Sequence, residues 1–303
     1  MADVRVMVLA NPTAGRGKAG RLIGKVDGLL HRAGVAHEIL ISESAQDLTR
    51  LAREAGEAGE AIVAVLGGDG TVGLAANGLV GTGGTLAVLP SGTADDFATA
   101  MGVGKMDTAV RALVEPNVVP IDVVRVTCGV EQRLYVNVAG AGFDSEVNEA
   151  ANAMRVDLGA TGTYIAAVLK TLPRFTPATF RIRLDDELVE APHMLVVVGN
   201  ATSYGGGMKV TPDASVVDGL LDVCLLGQLS KGAFLRAFPR VFTGSHVRHP
   251  AVRMARAKRI EVEADRRVQV YADGERVGPL PAVFEVVPSA LPMVVGPNPR
   301  GVR

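Results

Sequence analysis

The sequence predicts two domains, an α/β domain with a parallel sheet followed by a β-rich domain built as an antiparallel sandwich. Over about the first 115 residues, short apolar segments alternate with helical patterns, which is typical of a parallel sheet covered by helices. After Pro116–Pro120, short alternating strand patterns bounded by Gly, Asp and Pro dominate instead, which favours antiparallel pairing. The 303 residues, 48% of them hydrophobic, suffice for two cores.

The first domain is predicted from four apolar segments. In chain order they are VRVMVLA, VAHEILI, AIVAVL and TLAVLP. The first is followed by a predicted loop, NPTAGRGKAG, and then by a helix, because apolar residues recur at helical spacing at Leu22, Ile23, Val26, Leu29 and Leu30. A second helix is marked by Leu48, Leu51 and Ala52.

The second domain is predicted from six strand-like segments after IDVVRVTCG. They are QRLYVNVAGAGF, TFRIRLDDELVE, HMLVVVGNA, LLDVCLL, RIEVEA and RVQVYADGE. Helical patterns interrupt them at about 145–172 and about 230–242. Despite Pro239, the second pattern places five apolar residues on one helical face: Phe234, Leu235, Phe238, Val241 and Phe242. We expect this face to pack a core rather than to line the entry of an acyl chain.

The predicted domain boundary lies near residue 122. Residues 1–122 form the α/β domain and residues 123–288 the β-rich domain, and the last segment, 289–303, which includes LPMVV, can return to the first domain. Neither domain shows an internal repeat.

Composition excludes several classes of protein. A net charge of -1 gives no support to nucleic acid as a partner, and a chain with no tryptophan and four tyrosines lacks aromatic stacking platforms. Two distant cysteines, Cys128 and Cys224, fit a reducing cytoplasm. No apolar run reaches the roughly 18 residues of a transmembrane helix. We therefore expect a cytoplasmic protein that meets any membrane substrate from the surface.

The first glycine-rich segment, Gly15–Gly20, matches G-x-G-x-x-G after a strand. A dinucleotide site also needs an acidic residue at the end of the second strand, but Glu38 lies near its beginning and Ser42 nearer its end. This disfavours an NAD(P)-linked oxidoreductase, and Lys18-Ala19 does not fit a Walker A loop. Asn11-Pro12 with the following Gly, Arg and Lys can still hold the phosphates of a nucleotide.

The second glycine-rich segment, AVLGGDGTV, joins the third strand to a helix. Gly67, Gly68 and Gly70 can expose backbone N–H groups at a helix N-terminus, where anions are favoured. Asp69 would repel a bare phosphate but suits a phosphate that arrives with Mg²⁺. The alternative is a tight turn in which Asp69 is only a helix cap.

These segments resemble the diacylglycerol kinase catalytic family. The resemblance is carried, in order, by NPTAGRGKA (11–19), GGDGT (67–71), LPSGTADDFA (89–98), TPDASVVDGLLDV (211–223) and DGE (273–275). GGDGT alone is shared with NAD kinases and phosphofructokinases, but the set spans nearly the whole chain. It looks most like the bacterial soluble lipid kinases, related to sphingosine and ceramide kinases, and implies an NAD kinase/diacylglycerol kinase-like fold.

The resemblance also implies the site residues. Glu275 of D-G-E would be the general base that activates the acceptor hydroxyl, although Asp-Gly is also a hairpin signal. Asp69 would organise Mg²⁺ and ATP, in a nucleotide site made of Asn11, Ser42, Gly67, Gly68, Asp69, Gly70, Thr71 and Thr93. A structural Mg²⁺ would be held by Ser215, Asp218 and the carbonyl of Leu220, for which the alternative is a plain Asp-Gly turn.

Two departures from the family pattern accompany these motifs. Asp95 stands where the family usually has asparagine, and Gly73-Leu74 stand where many relatives have Asn-Glu. We expect an ATP-dependent lipid kinase, peripheral at the membrane, that converts diacylglycerol to phosphatidic acid. A kinase for another lipid or alcohol, and a nucleotide-binding regulatory protein without turnover, are the alternatives. A homodimer is left open.

Overall fold

The computed structural model describes residues 5–12, 14–59, 62–154 and 158–302. The chain divides into two compact units, Met1–Val123 with Pro288–Arg303, and Val124–Val287. Thr13 of the first motif lies outside the described residues. The functional roles that the sequence gives to the two domains stay predictions.

The first unit alternates strands and helices. Its elements are β1 (Val6–Ala10), α1 (Ala14–Arg32), β2 (His37–Ile41), α2 (Ala45–Glu57), β3 (Ile62–Gly67), α3 (Asp69–Leu79), β4 (Thr85–Pro90), α4 (Asp96–Ala100), α5 (Met106–Val114) and β5 (Asn117–Cys128), which continues into the second unit.

The second unit is rich in strands. Its elements are β6 (Glu131–Tyr135), β7 (Val138–Gly142), α6 (Phe143–Asn152), α7 (Gly159–Thr171), β8 (Ala178–Leu184), β9 (Glu187–Gly199), β10 (Leu221–Gly227), α8 (Lys231–Ala237), two 3₁₀ turns (Phe238–Thr243 and Ser245–Arg248), β11 (Val252–Ala257), β12 (Arg259–Ala264), β13 (Gln269–Ala272), β14 (Glu275–Pro279) and β15 (Ala282–Val295).

The sheet of the first unit is parallel, in the order β2-β1-β3-β4. Every residue of β1 and of β3 is buried, which explains their continuous apolar sequences, because helices cover both faces of such a sheet. The end of β15 also joins this sheet, with Met293 opposite Leu86 of β4. The carboxyl ends of β1, β3 and β4 therefore open at one edge, the usual ligand-binding edge of such a sheet.

The second unit is an antiparallel sandwich. The long strand β9 pairs with β8 through residues 187–193 and with β7 and β10 through its later half. A core of buried residues from the strands of this unit lies inside, with Tyr135 of β6, Phe180 of β8 and Ile260 of β12 fully buried. Alternating burial along β8 reflects one face toward this core and one toward solvent. The predicted fold class is confirmed.

Three local expectations were wrong. The predicted loop after β1 is short, because α1 begins at Ala14. The helical pattern at 145–172 is two helices, since Gly159 has a φ of 72°, outside the helical region for L-residues. Helix α8 ends at Ala237 before Pro239. Within it, Leu235 is 42% exposed while the preceding Phe234 is buried, because successive residues of a helix lie about 100° apart around its axis.

Candidate active site

Two loops lie side by side where β3 and β4 end. Gly67 is paired with Pro90, and the N–H of Ser91 donates to the carbonyl of Gly67 at 3.1 Å. A Cβ on Gly92 would lie 2.7 Å from the Cα of Gly68, so neither loop accommodates a side chain there. The glycines of both motifs thus let two backbones meet, a purpose that the sequence analysis did not identify.

The carboxylate of Asp69 joins these two loops. Asp69 is the first residue of α3, and its Oδ1 accepts from the N–H of Phe97 at 2.9 Å while Oδ2 accepts from the N–H of Asp96 at 3.2 Å. It therefore caps α4 rather than its own helix. The pKa of Asp69 is raised to about 7, mainly by burial and also by the charges of Asp96 and Asp95. The hydrogen bond from the N–H of Phe97 lowers this pKa in part.

Asp95 has a local structural reason for standing where the family usually has asparagine. Its φ is 53°, in the left-handed region that both Asn and Asp tolerate better than other L-residues. Its Oδ1 accepts from the N–H of Gly92 at 2.9 Å. Burial raises its pKa, whereas that hydrogen bond and the charge of Lys18 lower it. The replacement keeps the turn and adds a carboxyl group to the loop.

Residues of the first strand–helix connection also reach this edge. The Nζ of Lys18 donates to the carbonyl of Gly92 at 2.9 Å, so α1 contacts the loop after β4. Asn11 follows β1 and is half-buried. Ser42 follows β2, is buried, and its Oγ donates to the carbonyl of Ala10 at 3.3 Å. Sequence reasoning assigned Asn11 and Ser42 but missed the contact of Lys18.

The two threonines of the predicted nucleotide site differ in exposure. Thr71 is buried in the first turn of α3 and lies against Gly67, where a Cβ would be 2.3 Å from the Cβ of Thr71. Thr93 is exposed in the loop after β4. The N–H groups of Asp69 and Gly70 lie in the first turn of α3, where a helix offers no partner within itself. Such N–H groups can bind an anion.

Glu275 lies in the second unit at the tip of a hairpin. Asp273 and Gly274 have φ values of 49° and 80°, as a two-residue type I′ turn requires. Glu275 follows as the first residue of β14, opposite Ala272, and is exposed. The predicted turn is present, and it presents the side chain of Glu275 to solvent.

The hairpin is held by Asp273, a role that sequence reasoning missed. Its carboxylate accepts from the N–H groups of Val136, Asn137 and Val138 at 3.0, 3.1 and 3.2 Å. Burial raises the pKa of Asp273 to about 6, although all three hydrogen bonds favour the ionised form. Asn152 also donates to the carbonyl of Gly274 at 3.3 Å. The aspartate of the D-G-E motif was the sequence feature that could have indicated this role.

The predicted structural metal site lies between β9 and β10. Ser215 is buried, and the Oδ1 of exposed Asp218 accepts from the N–H of Leu220 at 3.0 Å. Burial raises the pKa of nearby Asp222, and the charge of Asp218 raises it further. Hydroxyl, carboxylate and carbonyl oxygens suit a hard cation. Within residues 5–12, 14–59, 62–154 and 158–302, no three acidic, histidine or cysteine side chains are placed to hold a metal.

Comparison with known proteins identifies the family. A model of the diacylglycerol kinase catalytic domain matches residues 5–126, and one of the YegS C-terminal NAD kinase beta sandwich-like domain matches residues 137–295. A diacylglycerol kinase of Mycobacterium tuberculosis (strain ATCC 25618 / H37Rv) is 38% identical over 95% of this chain and 94% of that protein. The chain belongs to the diacylglycerol kinase catalytic family.

Further relatives agree with this family membership. The diacylglycerol kinase of Bacillus subtilis (strain 168) is 30% identical over 92% of each chain. The crystal structure of a putative diacylglycerol kinase from Bacillus anthracis superposes with a TM-score of 0.79 at 26% identity, over 98% of this chain and 99% of that one. The predicted enzyme class, an ATP-dependent phosphotransferase with a lipid alcohol as acceptor, is confirmed.

Within the described part of the chain, no helix is long and apolar enough to cross a bilayer.

Proposed function

We propose that this member of the diacylglycerol kinase family transfers the γ-phosphoryl group of ATP to the free hydroxyl of diacylglycerol, giving phosphatidic acid. The observation that carries the proposal is the full-length similarity to a diacylglycerol kinase, 38% identical over 95% of the chain. The substrate is a membrane lipid, so the chain would act as a peripheral protein at the membrane surface.

We assign Mg²⁺ and the nucleotide phosphates to the loops after β3 and β4. The proposal is supported by the N-terminus of α3 and by Asp69, whose pKa is raised to about 7 by burial and by neighbouring Asp96 and Asp95. A carboxylate that accepts two N–H bonds keeps further lone pairs for a cation. Bound Mg²⁺ would neutralise charge on the phosphates during transfer.

We assign the general-base role to Glu275. As the acceptor oxygen bonds to the γ-phosphorus, its proton passes to the carboxylate of Glu275, and the bond from phosphorus to the leaving oxygen of ADP breaks. The support is an exposed carboxylate on a hairpin that Asp273 fixes through three backbone N–H groups. A fixed position matters because misplacing a reacting group costs rate.

We keep the structural Mg²⁺ at Ser215, Asp218 and the carbonyl of Leu220 as part of the proposal. Its support is the oxygen character of the donors and the buried Oδ2 of Asp222 nearby, which has no hydrogen-bond partner among the described residues. Asp213 and Asp218 add negative charge around Asp222. Arg256 already offsets part of this charge through its ion pair with Oδ1 of Asp222 at 3.1 Å, and a cation would act on the remaining oxygens.

The experiment is a transfer assay with γ-labelled ATP and Mg²⁺. The purified chain is given mixed micelles that contain diacylglycerol, monoacylglycerol, ceramide or sphingosine, one lipid at a time. We expect label in phosphatidic acid above all. Label in another lipid alone would overturn the choice of substrate, and label in no lipid would leave the regulatory alternative as the better account.

A further inference from the structure

A polar cleft lies on the second unit between α6, the end of α7 and the segment that leads into β13. It encloses about 1160 Å³ of space, including solvent at its mouth. Glu146 and Glu149 of α6 line one side, and Lys170 of α7 and Arg174, which follows that helix, line another. Arg267 lines the cleft just before β13. None of these five charged side chains belongs to the sites proposed above.

One of the two carboxylates is already paired with an arginine. Oε1 of Glu146 lies 3.9 Å from Nη2 of Arg266. Arg266 has further contacts, because its Cζ lies 5.8 Å from the ring centroid of Phe175 and its Nη2 donates to the carbonyl of Thr176. The charge of Glu146 is therefore offset by Arg266, and Glu149 is the remaining carboxylate of the cleft.

The three cations of the cleft have no such partner. Among the described residues, Lys170, Arg174 and Arg267 form no ion pair with a carboxylate. Lys170 lies in the last turn of α7, where the helix dipole favours a cation. That explanation does not extend to Arg267, which lies in the connection between β12 and β13. Three positive groups against one remaining carboxylate, Glu149, leave a surplus of two positive charges.

The neutral groups of the cleft also favour an anion rich in oxygen. Gln269 lines the cleft, and its Oε1 accepts from Nε of Arg276 at 3.2 Å, which leaves the amide NH₂ as a donor. Thr171 adds a hydroxyl group. Guanidinium groups bind phosphate oxygens through paired N–H donors, and a phosphomonoester carries about two negative charges near pH 7. The charge and the donors of the cleft therefore both match a phosphomonoester.

Two walls of the cleft continue to the D-G-E hairpin. On one wall, Gln269 bonds with Arg276, the residue after Glu275. On the other wall, the side chain of Asn152 at the end of α6 donates to the carbonyl of Gly274 at 3.3 Å. A phosphate group in the cleft would therefore lie beside the hairpin that carries the general base of the proposed reaction.

We propose that this cleft binds a phosphomonoester, at a site separate from the nucleotide loops after β3 and β4. The group has two sources, phosphatidic acid in a membrane and a soluble phosphate ester. For the lipid source the inference rests on the proposed function, because phosphatidic acid is the product of that reaction. Binding of the phosphate group itself depends only on the charges and donors of the cleft.

Two probes carry the same group from the two sources. Titration calorimetry uses glycerol 3-phosphate, and cosedimentation uses vesicles of phosphatidylcholine that contain phosphatidic acid, both with excess Mg-ADP to occupy the nucleotide loops. We expect the wild type to bind both probes. Binding of one probe alone would support the cleft and identify the source, whereas binding of neither would overturn the inference. Equal binding to vesicles that contain phosphatidylglycerol, a phosphodiester with one charge, would overturn the choice of a phosphomonoester.

Arg267→Gln tests whether the cleft holds the phosphate. The matched control is Arg181→Gln, which removes the same charge from an exposed position on β8 that does not line the cleft. We expect at least tenfold weaker binding of both probes by Arg267→Gln, partial recovery in Arg267→Lys, and wild-type binding by the control. Wild-type affinity in Arg267→Gln, or an equal loss in Arg181→Gln, would overturn the assignment of the cleft.

Glu149→Gln tests the charge balance in the opposite direction. It removes the remaining negative charge from the cleft wall, so binding of glycerol 3-phosphate should become at least threefold tighter. Misfolding cannot produce such a gain. An affinity that does not rise would contradict the charge balance on which the inference rests.

Comparison with phosphoryl transfer separates this inference from the proposed function. Binding that is lost in Arg267→Gln, by a chain that phosphorylates no lipid, would support the cleft and overturn the proposed function. A chain that phosphorylates diacylglycerol but binds neither probe would retain the proposed function and overturn the cleft.

Discussion

The carboxylate of Asp69 accepts a hydrogen bond from the backbone N–H of Phe97 at 2.9 Å, and thereby connects the G-G-D-G-T loop to the helix after the next strand. The two residues are 28 positions apart in the sequence. A change at Asp69 therefore acts on both loops of the proposed nucleotide site, and its effects on metal use and on folding must be measured separately.

Asp69→Asn is expected to raise the Mg²⁺ concentration for half-maximal activity at least tenfold. The amide is a weaker cation ligand than the carboxylate, and its NH₂ group would face one of the N–H groups of Asp96 and Phe97. The measurement is initial rate against Mg²⁺ concentration. Asp107→Asn, in the first turn of α5, is the matched control and is expected to behave as wild type. An unchanged Mg²⁺ dependence in Asp69→Asn would remove this residue from the metal site.

Without divalent cations, the free energy of unfolding is expected to fall as the pH rises toward 7. The pKa of Asp69 is raised from 3.8 to about 7 in the folded chain, so between these values the folded state keeps a proton that the unfolded state has lost. The contribution is complete below about pH 4 and is lost by about pH 7.

Urea unfolding at about pH 5 and about pH 7.5 measures this loss. The wild type is expected to lose on the order of 2 kcal/mol more than Asp69→Asn over that interval. Asp273, whose pKa is about 6, contributes in the same direction but is common to both proteins. Equal losses in the two proteins would show that Asp69 is already ionised at pH 5.

Asp273→Ala is expected to lower both stability and turnover. It leaves the N–H groups of Val136, Asn137 and Val138 without their acceptor, at a cost of about 2–4 kcal/mol in the free energy of unfolding. The hairpin that carries Glu275 would also lose its anchor, so kcat should fall at least tenfold in protein that is still folded.

Asp185→Ala is the matched control for the hairpin. Asp185 also lies in a β-hairpin turn with a φ of 48°, and its carboxylate accepts from the N–H groups of Lys258 and Arg259. It is expected to lower stability but not kcat. If both variants reduce kcat equally per unit of lost stability, Asp273 has no special part in placing Glu275.

The sequence predicts the strands best where burial is uniform or regular. Strands β1 and β3 are buried along their whole length and read as continuous apolar segments, and β8 alternates as its burial does. Helix ends were less predictable. Gly159 and Pro239 were visible in the sequence, yet the pattern at 145–172 was drawn as one although α6 ends at Asn152 and α7 begins at Gly159, and the pattern at 230–242 was drawn past the end of α8.

The contacts that hold the candidate site could not be predicted from periodicity. Asp273 reaches Val136 across 137 positions, and Lys18 reaches Gly92 across 74. Such side chain–backbone hydrogen bonds depend on which loops the fold brings together, and although Asp273 belongs to the D-G-E motif, the motif does not indicate which backbone groups its carboxylate contacts. The motifs indicated which segments belong to the candidate site, whereas the tertiary structure determines which of their atoms are in contact.

The most direct test of the central claim compares label transfer to diacylglycerol by the wild type, Glu275→Gln and the control Glu131→Gln, an exposed glutamate on β6. The account predicts that the wild type and Glu131→Gln make labelled phosphatidic acid. Glu275→Gln should be about 10²–10⁴-fold slower, the range expected for loss of a general base, with an unchanged Kd for ATP. Wild-type turnover by Glu275→Gln would contradict the account.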